Sequence, residues 1–348
     1  DKYVEADLIT ELKIYETDGI VTPPANFLVG CTKLSKLYLK GVKVTSFNGV
    51  NYFVQSSGTN TSLTDLSVPT IVRDPGKETL SLPASFLRNF NALINVDLSG
   101  LSDVTSIGQY FLTNSYALKS VDLTPLSNLT SISSNFLQNC TSLASIDLTP
   151  LSNVTTINTY FLSGCTSLTN VDTINNMKSL KRIGAYFVAN TGIKSFKLTN
   201  LPELTQIGNN ALSANQLMTD VEISYLPKLQ SFGQSLCGRM GGSSLICGVE
   251  SITLKELPSL KKSSTEIETN FGIQGSFLQS TPNLKVVNLS DDITADVFYT
   301  SANSFTTLYL TDDAYVNGIT LNSVNKSDIK AKFPDNPTTS GKYRKWAN

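Results

Sequence analysis

The chain contains nearly the same 19 residues twice, 25 positions apart: LKSVDLTPLSNLTSISSNF from Leu118 to Phe136 and LASIDLTPLSNVTTINTYF from Leu143 to Phe161. A phenylalanine marks the same point in further copies, with spacings of 25, 25, 25 and 26 residues. These phenylalanines are Phe86, Phe111, Phe136, Phe161 and Phe187. A fixed period of this length indicates a repeat architecture, because one such unit cannot bury its apolar face alone and must stack on its neighbours.

Each repeat contains one segment with the spacing of a β-strand. Leu118, Val121 and Leu123 are apolar, and the alternation around Asp122 directs that aspartate away from the core. The segment TSIGQYFLTN has apolar residues three to five positions apart and predicts a short helical turn. One strand and one turn per repeat predict a leucine-rich-repeat α/β solenoid: a right-handed superhelix of about twelve rungs, with a parallel concave β-sheet and short helices or turns on the convex side.

The pattern predicts a single solenoid over 1–348, with a first rung at 1–26, repeats over 27–311 and a C-terminal cap at 312–348. Two stretches near 54–85 and 237–276 break the period and are rich in turn-forming residues, which predicts loops inserted between rungs. Beyond the quoted repeats and a rung at Leu168, the predicted strand triplets are Ile9/Leu12/Ile14, Leu34/Leu37/Leu39, Leu63/Leu66/Val68, Leu93/Val96/Leu98, Ile193/Phe196/Leu198, Met218/Val221/Ile223, Val249/Ile252/Leu254, Leu284/Val287/Leu289 and Phe305/Leu308/Leu310.

Composition narrows the function. The chain has no histidine, which removes the usual general base, the commonest metal ligand and every Ser-His or Cys-His nucleophile. Its net charge is −1, so nothing global attracts nucleic acid. No apolar run approaches the roughly 18 residues that span a bilayer, and the start DKYVEADLITELK lacks the apolar region of a signal peptide. We therefore expect a non-enzymatic protein without a cofactor, either cytosolic or a mature or trimmed form.

The repeat unit also resembles a known family. FLQNCTSLASIDL and FLSGCTSLTNVDT, together with TSIGQYF, resemble the BspA-like (Treponema-type) leucine-rich repeats over most of the chain. The resemblance implies a secreted or surface-anchored protein of a Bacteroidales-type bacterium, with its signal peptide removed or with a lipid anchor. It also implies an adhesin-like role in binding a host matrix protein, another cell-surface protein or a glycan, and it supplies no catalytic residues.

The middle outward position of the predicted concave strands contains four aspartates in consecutive rungs. From the first rung onward the residues at this position are Lys13, Tyr38, Ser67, Asp97, Asp122, Asp147, Asp172, Lys197, Glu222, Thr253, Asn288 and Tyr309. Like charges on neighbouring strands repel. The aspartates therefore form either a stripe for a basic ligand, or for Ca²⁺ through Asp122 and Asp147, or a by-product of duplication satisfied by flanking Ser and Thr. A retaining glycosidase is a third reading, because its carboxylates are about 5 Å apart.

The cysteines show no zinc spacing. Cys31, Cys140 and Cys165 each lie four residues after the repeat phenylalanine or its equivalent, at a position that predicts a buried packing role. Cys237 and Cys247 flank a Gly/Ser-rich segment and are a candidate disulfide, which in an extracellular protein would pin that segment.

The leading hypothesis is a monomeric, non-enzymatic protein-binding solenoid at the cell surface. Its ligand would contact the concave face, with Asp97, Asp122, Asp147, Asp172, Lys197, Glu222, Tyr38 and Tyr309 as candidate site residues. A structural spacer of a surface assembly and a glycan-binding surface protein remain alternatives.

Overall fold

The structure is a computed structural model. It describes residues 8–15, 19–20, 28, 30–45, 62–73, 79–238, 245–260, 272–274, 281, 283–293, 298–299, 319–328 and 346–347. The residues cluster into two compact units: unit 1 comprises 1–154 and 161–168, and unit 2 comprises 155–160 and 169–348. Each unit is a stack of rungs built on parallel β-strands, and its helices are short.

The strands of unit 1 are β1 (Glu11–Lys13), β2 (Lys36–Tyr38), β3 (Lys43–Val44), β4 (Asp65–Ser67), β5 (Thr70–Ile71), β6 (Ser81–Leu82), β7 (Asn95–Asp97), β8 (Ser106–Ile107) and β9 (Ser131–Ile132). Strands β1, β2, β4 and β7 form one parallel sheet in that order. Strand β3 pairs with β5, and β6 pairs with β8. The 3₁₀ helices of this unit are Ser99–Leu101, Thr124–Leu126 and Thr149–Leu151.

The strands of unit 2 are β10 (Thr156–Ile157), β11 (Arg182–Ile183), β12 (Ser195–Thr199), β13 (Gln206–Ile207), β14 (Asp220–Ser224), β15 (Ser231–Phe232), β16 (Ser251–Lys255), β17 (Gly272–Gln274), β18 (Val286–Leu289), β19 (Phe298–Tyr299), β20 (Ile319–Asn322) and β21 (Trp346–Ala347). We call β12, β14, β16, β18, β20 and β21 the long-strand sheet, and β10, β11, β13, β15, β17 and β19 the short-strand sheet; both are parallel. A 3₁₀ helix spans Asp172–Asn176.

The predicted strand triplets are confirmed at both ends of the described chain. Seven of them coincide with β2, β4, β7, β12, β14, β16 and β18, and β1 lies within the first. The triplet Phe305/Leu308/Leu310 lies outside the described residues. The next strand of the long-strand sheet after β18 is instead β20, which, like β21, lies within the segment predicted as a cap.

The strand prediction is wrong for the three central repeats. No strand is assigned at 118–123, at 143–148 or at the rung beginning with Leu168. A 3₁₀ helix starts directly after Leu123 and another after Leu148, and both residues have ψ near zero, at 0° and −3°. The same 3₁₀ helix also follows strand β7, where Leu98 has ψ of 7°, so the helix alone does not account for the missing strands.

The predicted helical turn at TSIGQYFLTN is also wrong in its first part. Ser106–Ile107 is strand β8, because this part of every rung joins a second parallel ladder. Residues predicted as inserted loops enter these ladders as well, at β5, β6 and β17. The isoleucine of this motif is often followed by glycine, because a Cβ at Gly208 would lie 2.6 Å from the backbone nitrogen of Ala185 in the rung before.

The repeat phenylalanines form an aromatic column in the core of unit 1. The ring centroids of Phe86, Phe111, Phe136 and Phe161 are 6.1, 5.2 and 5.5 Å apart in turn, and neighbouring rings are within 13° of parallel. All four rings are buried. Offset-stacked aromatic pairs add to the stabilisation from apolar burial, so the 25-residue period is fixed by a repeated contact.

A buried polar side chain replaces cysteine at the equivalent position in unit 2. Asn215 is fully buried, and its amide nitrogen donates to the carbonyls of Val188 and Leu212 at 2.9 Å each. Its side-chain oxygen accepts from the backbone N–H of Thr191 at 2.7 Å and from the Thr191 hydroxyl at 2.8 Å. One side chain thus satisfies the buried backbone of two neighbouring rungs.

We expect Asn215→Ala to lower the free energy of unfolding by about 3 kcal/mol, because it leaves several buried polar groups without a partner. The matched control is Gln216→Ala at the next, exposed residue, which should change stability by less than about 0.5 kcal/mol. Urea unfolding followed by circular dichroism measures both. Equal losses for the two variants would contradict this role for Asn215.

Candidate binding surface

The outward face of the long-strand sheet carries the candidate residues of unit 2. The strand register aligns Lys197 with Glu222, Glu222 with Thr253 and Thr253 with Asn288, as the repeat pattern predicted. The position next to Asn288 is occupied by Asn322 instead of the predicted Tyr309, which lies outside the described residues. The residues on either side of these positions point inward and are buried, among them Phe196, Val221, Ile252, Val287 and Leu321.

Glu222 is the centre of an ion cluster across three strands. Its carboxylate oxygens lie 3.3 Å from the Lys197 ammonium and 3.4 Å from the Lys255 ammonium, and Ser224 Oγ donates to it at 2.9 Å. Partial burial acts to raise the pKa of Glu222, but the hydrogen bonds from Ser224 and Lys197 and the charge of Lys255 outweigh it and lower the pKa. Glu222 is therefore an ionised carboxylate held between two cations.

The same face continues as a polar amide ladder. Asn288 donates from its side-chain amide to Thr253 Oγ1 at 3.1 Å, and Asn322 donates to Asn288 Oδ1 at 2.8 Å. These contacts cross three neighbouring strands and are part-buried or exposed. Unit 2 thus presents a mixed-charge patch that passes into a neutral, hydrogen-bonding one.

The outward face of unit 1 brings together four predicted neighbours. Lys13, Tyr38, Ser67 and Asp97 are in register on β1, β2, β4 and β7. The Lys13 ammonium lies 5.4 Å from the centre of the Tyr38 ring, and that of Lys40 lies 3.8 Å from the Asp97 carboxylate. Tyr38 and Asp97 therefore lie on one polar face, as the sequence predicted.

The recurring aspartates have a local structural role. Oδ1 of Asp97, Asp122 and Asp147 each accepts a hydrogen bond from the backbone N–H two residues later, at 2.9 Å, where a 3₁₀ helix begins. In Asp122 and Asp147 the hydroxyl of the following threonine adds a second bond, and the two bonds lower the pKa of each carboxyl. This matches the interpretation in which flanking Ser and Thr satisfy the aspartates.

The predicted stripe of four aspartates on concave strands is not found in that form. Only Asp97 belongs to a strand of the sheet, whereas Asp122 and Asp147 precede 3₁₀ helices and Asp172 begins one. The charge of Asp122 nevertheless acts on Asp147 and opposes the lowering of its pKa. Ca²⁺ binding by this pair stays a prediction, and within the described part of the chain no group of three or more metal-ligating side chains occurs.

All five cysteines are buried thiols, and Cys31, Cys140 and Cys165 take the predicted packing role. Cys140 and Cys165 donate to the carbonyls of Leu112 and Leu137 at 3.3 and 3.1 Å, so the same slot that holds Asn215 also binds backbone in unit 1. Cys237 and Cys247 are fully buried and not joined by a disulfide. A hydrogen bond to the Cys247 sulfur, together with burial, raises the pKa of Cys237 well above its ordinary value.

Sequence reasoning missed an asparagine ladder in unit 1. The side-chain amide of Asn114 donates to Asn89 at 2.8 Å, and that of Asn139 donates to Asn114 at 2.9 Å. These residues and Gly164 have φ between 58° and 80°, a region that favours asparagine and glycine. The recurrence of Asn or Gly three residues after the repeat phenylalanine was the available signal.

We expect Asp122→Ala and Asp147→Ala each to lower the free energy of unfolding by about 0.5–1.5 kcal/mol, because each variant loses a hydrogen bond from a backbone N–H. The asparagine variants should lose less, because an amide oxygen still accepts the bond. Since folding lowers the pKa of both carboxyls, the ionised form stabilises the protein fully above the unfolded pKa of about 3.9, and this contribution is lost as the pH falls through the folded pKa.

Urea unfolding of the wild type and of the double Asn variant at pH 7, 5 and 3 measures this effect. The difference in free energy of unfolding between the wild type and the variant should be largest at pH 7 and pH 5 and should become smaller at pH 3. Asp103→Asn, at an exposed position of the same unit, is the control for the loss of one surface charge. A gap that widens on acidification would contradict the capping role.

A Cys237–Cys247 disulfide stays a prediction, and the thiol contact favours it. We expect mild oxidation to link this pair and to raise the free energy of unfolding by about 2–3 kcal/mol, because the bond closes a loop of about ten residues in the unfolded chain. Peptide mapping after alkylation identifies the linked cysteines. Cys140 and Cys165, which also interact with each other, are the internal comparison. Linkage only between those two would refute the prediction.

Of the helices in the described residues, none has the length and apolar character needed to cross a membrane.

The fold has a counterpart among solved structures. A leucine-rich repeat protein from Bacteroides ovatus superposes with a TM-score of 0.51 at 15% identity, over 100% of this chain and 94% of that one. The TLR13–ssRNA13 complex gives 0.25 at 16% identity over 89% and 38% of the two chains, and the functional domain of InlJ from Listeria monocytogenes gives 0.21 at 13% over 81% and 65%. Those two scores are too low to bear on the fold.

No curated protein sequence matches the chain at a significant level. Residues 81–219 match the family model of the BspA-type leucine-rich repeat region, in six copies. The matched residues include the aromatic column, the aspartate-capped turns and the asparagine ladder of unit 1. Residues 81–219 are thus a region of BspA-type leucine-rich repeats, and the solved counterpart shows that the chain has a leucine-rich-repeat fold.

Proposed function

We propose that this chain is a non-enzymatic protein-binding module whose partner contacts the outward face of the long-strand sheet. The observation that carries the proposal is the Lys197–Glu222–Lys255 cluster, which crosses three strands and continues into the Thr253–Asn288–Asn322 ladder. Stacked repeats present such extended surfaces to partners.

The polarity of this face suits a protein partner. Its side chains offer both charges, hydroxyls and amides at positions spaced by roughly 4.8 Å from strand to strand. Side chains that already pair with one another are held in place, so less conformational entropy is lost when a partner binds. Such an array discriminates between partners by charge and hydrogen-bond complementarity.

The wider role that we propose is that of an adhesin-like protein, secreted or at the cell surface, acting as a monomer on a host matrix protein or another cell-surface protein. The BspA-type repeats support this role, because proteins with such repeats are typically secreted or exposed on cells. A net charge of −1 favours neither nucleic acid nor an anionic surface as the partner.

Binding of the purified chain to immobilised extracellular-matrix proteins and mucin glycans tests the proposal. Thr253→Arg places a long cation in the middle of the face and should weaken partner binding at least tenfold. Gln230→Arg adds the same side chain at an exposed position outside the long-strand sheet and should leave binding within about twofold. If the two variants affected binding equally, or if the wild-type chain bound none of these partners, the outward sheet face would not be the binding site. A structural spacer role would then be favoured.

A second variant separates this face from the aspartates of the repeats. This variant carries four substitutions to asparagine, at Asp97, Asp122, Asp147 and Asp172. It loses four charges, but the amide oxygens can still accept the hydrogen bonds that begin the 3₁₀ helices. We expect partner binding to be unchanged in this variant, with or without Ca²⁺. Loss of binding would assign the ligand to the aspartates instead.

A further inference from the structure

Three neighbouring rungs place an aromatic and two acidic residues at one equivalent position. The register of β14, β16 and β18 makes Tyr225, Glu256 and Asp291 the residues that follow equivalent strand positions. The rung before has Asn200 at this point. Neighbouring positions of this kind are about 4.8 Å apart. An aromatic ring and two carboxylates thus follow one another just past the carboxyl ends of β14, β16 and β18.

These residues line a pocket with a volume of about 710 Å³. Pro227 and Pro258, also equivalent in successive rungs, contribute apolar surface to its lining together with the half-exposed Tyr225 ring. Ser290, Asp291 and Asp292 also line it. The pocket therefore combines an apolar surface with a row of carboxylates.

One of the three carboxylates has a structural partner. Asp292 accepts from the backbone N–H of Leu257 at 2.6 Å and from the hydroxyl of Ser290. Glu256 and Asp291, both exposed, show no side-chain hydrogen bond or ion pair within the described residues. Both carboxylates lie on residues that line the pocket.

The charge of the pocket is negative. The Lys255 ammonium lies 5.9 Å from the Tyr225 ring centre and is bound at 3.4 Å by Glu222 outside the pocket. Because Glu222 offsets that charge, Glu256, Asp291 and Asp292 set the field in the pocket. A cation with an apolar stem matches this combination of surfaces.

We infer that this pocket binds an arginine side chain of a protein partner. The guanidinium bonds to the carboxylates of Glu256 and Asp291, because its planar fork offers donors to two acceptors at once. The methylene groups of the arginine pack on Tyr225 and the two prolines. The inference rests on the proposed protein-binding function for the nature of the partner. The site itself is separate from the outward sheet face and lies at the carboxyl ends of the strands.

Ligand-observed NMR titration with the peptide acetyl-Gly-Arg-Gly-Arg-Gly-amide tests the site. The same peptide with citrulline in place of arginine is isosteric and neutral. We expect the citrulline peptide to bind at least fivefold more weakly, and we expect arginine-peptide affinity to fall as salt screens the carboxylates.

Two double variants with equal net charge localise the binding. Glu256→Gln with Asp291→Asn should weaken arginine-peptide binding at least fivefold, and Tyr225→Ala should weaken it severalfold. Asp103→Asn with Asp220→Asn removes two exposed carboxylates elsewhere and should change the affinity by less than about twofold.

Several results would overturn the site: no binding of the arginine peptide at about 10 mM, equal binding of the citrulline peptide, or equal effects of the two double variants. Binding of a neutral N-acetylglucosamine oligosaccharide that is lost in the Glu256→Gln, Asp291→Asn variant would make the pocket a glycan site and also overturn the proposal. Thr253→Arg should leave arginine-peptide affinity within about twofold, so failure of the sheet face and failure of the pocket remain distinguishable.

Discussion

In the described part of the chain, backbone hydrogen bonds join neighbouring rungs, which in unit 1 are mostly about 25 residues apart. In unit 1, the N–H groups of Leu112, Leu137 and Leu162 donate to the carbonyls of Phe86, Phe111 and Phe136 at 3.1, 2.9 and 3.0 Å. The same spacing brings the phenylalanine rings within stacking distance. A rung has no internal core of comparable size, so its stability depends on the fit to its neighbours.

This dependence explains which polar residues recur. Inside the stack, Cys140, Cys165 and Asn215 occupy the same slot, and each donates a hydrogen bond to a backbone carbonyl of the preceding rung. Outside it, Asp122 and Asp147 recur because their carboxylates begin the 3₁₀ helix of each repeat. The hydrogen bond to the local backbone therefore accounts for the recurrence of this aspartate, whatever ligand the surface binds.

The two proposed surfaces differ from these repeated features because they arise where the repeat has diverged. Glu222 meets lysines on both sides, while Tyr225, Glu256 and Asp291 follow an asparagine in the preceding rung. Only neighbours of different chemistry can form an ion cluster or a mixed apolar and acidic pocket. Unit 2 therefore combines a uniform backbone with a varied surface, which is what a selective binding module requires.

The sequence by itself determined the repeat period, the division of each strand into inward and outward positions, and the burial of Cys31, Cys140 and Cys165, because these follow from apolar spacing within one repeat. Only the tertiary structure decided which residue lies next to Asn288 on the outward face. The repeat pattern aligned Lys197, Glu222, Thr253 and Asn288 correctly but continued to Tyr309, whereas the neighbour of Asn288 is Asn322, 34 residues later. The tertiary structure also decided that the central repeats have no strand at 118–123 and 143–148, where 3₁₀ helices begin directly after Leu123 and Leu148. Contacts between rungs of unequal length depend on sheet register, which a repeat pattern in one sequence does not encode.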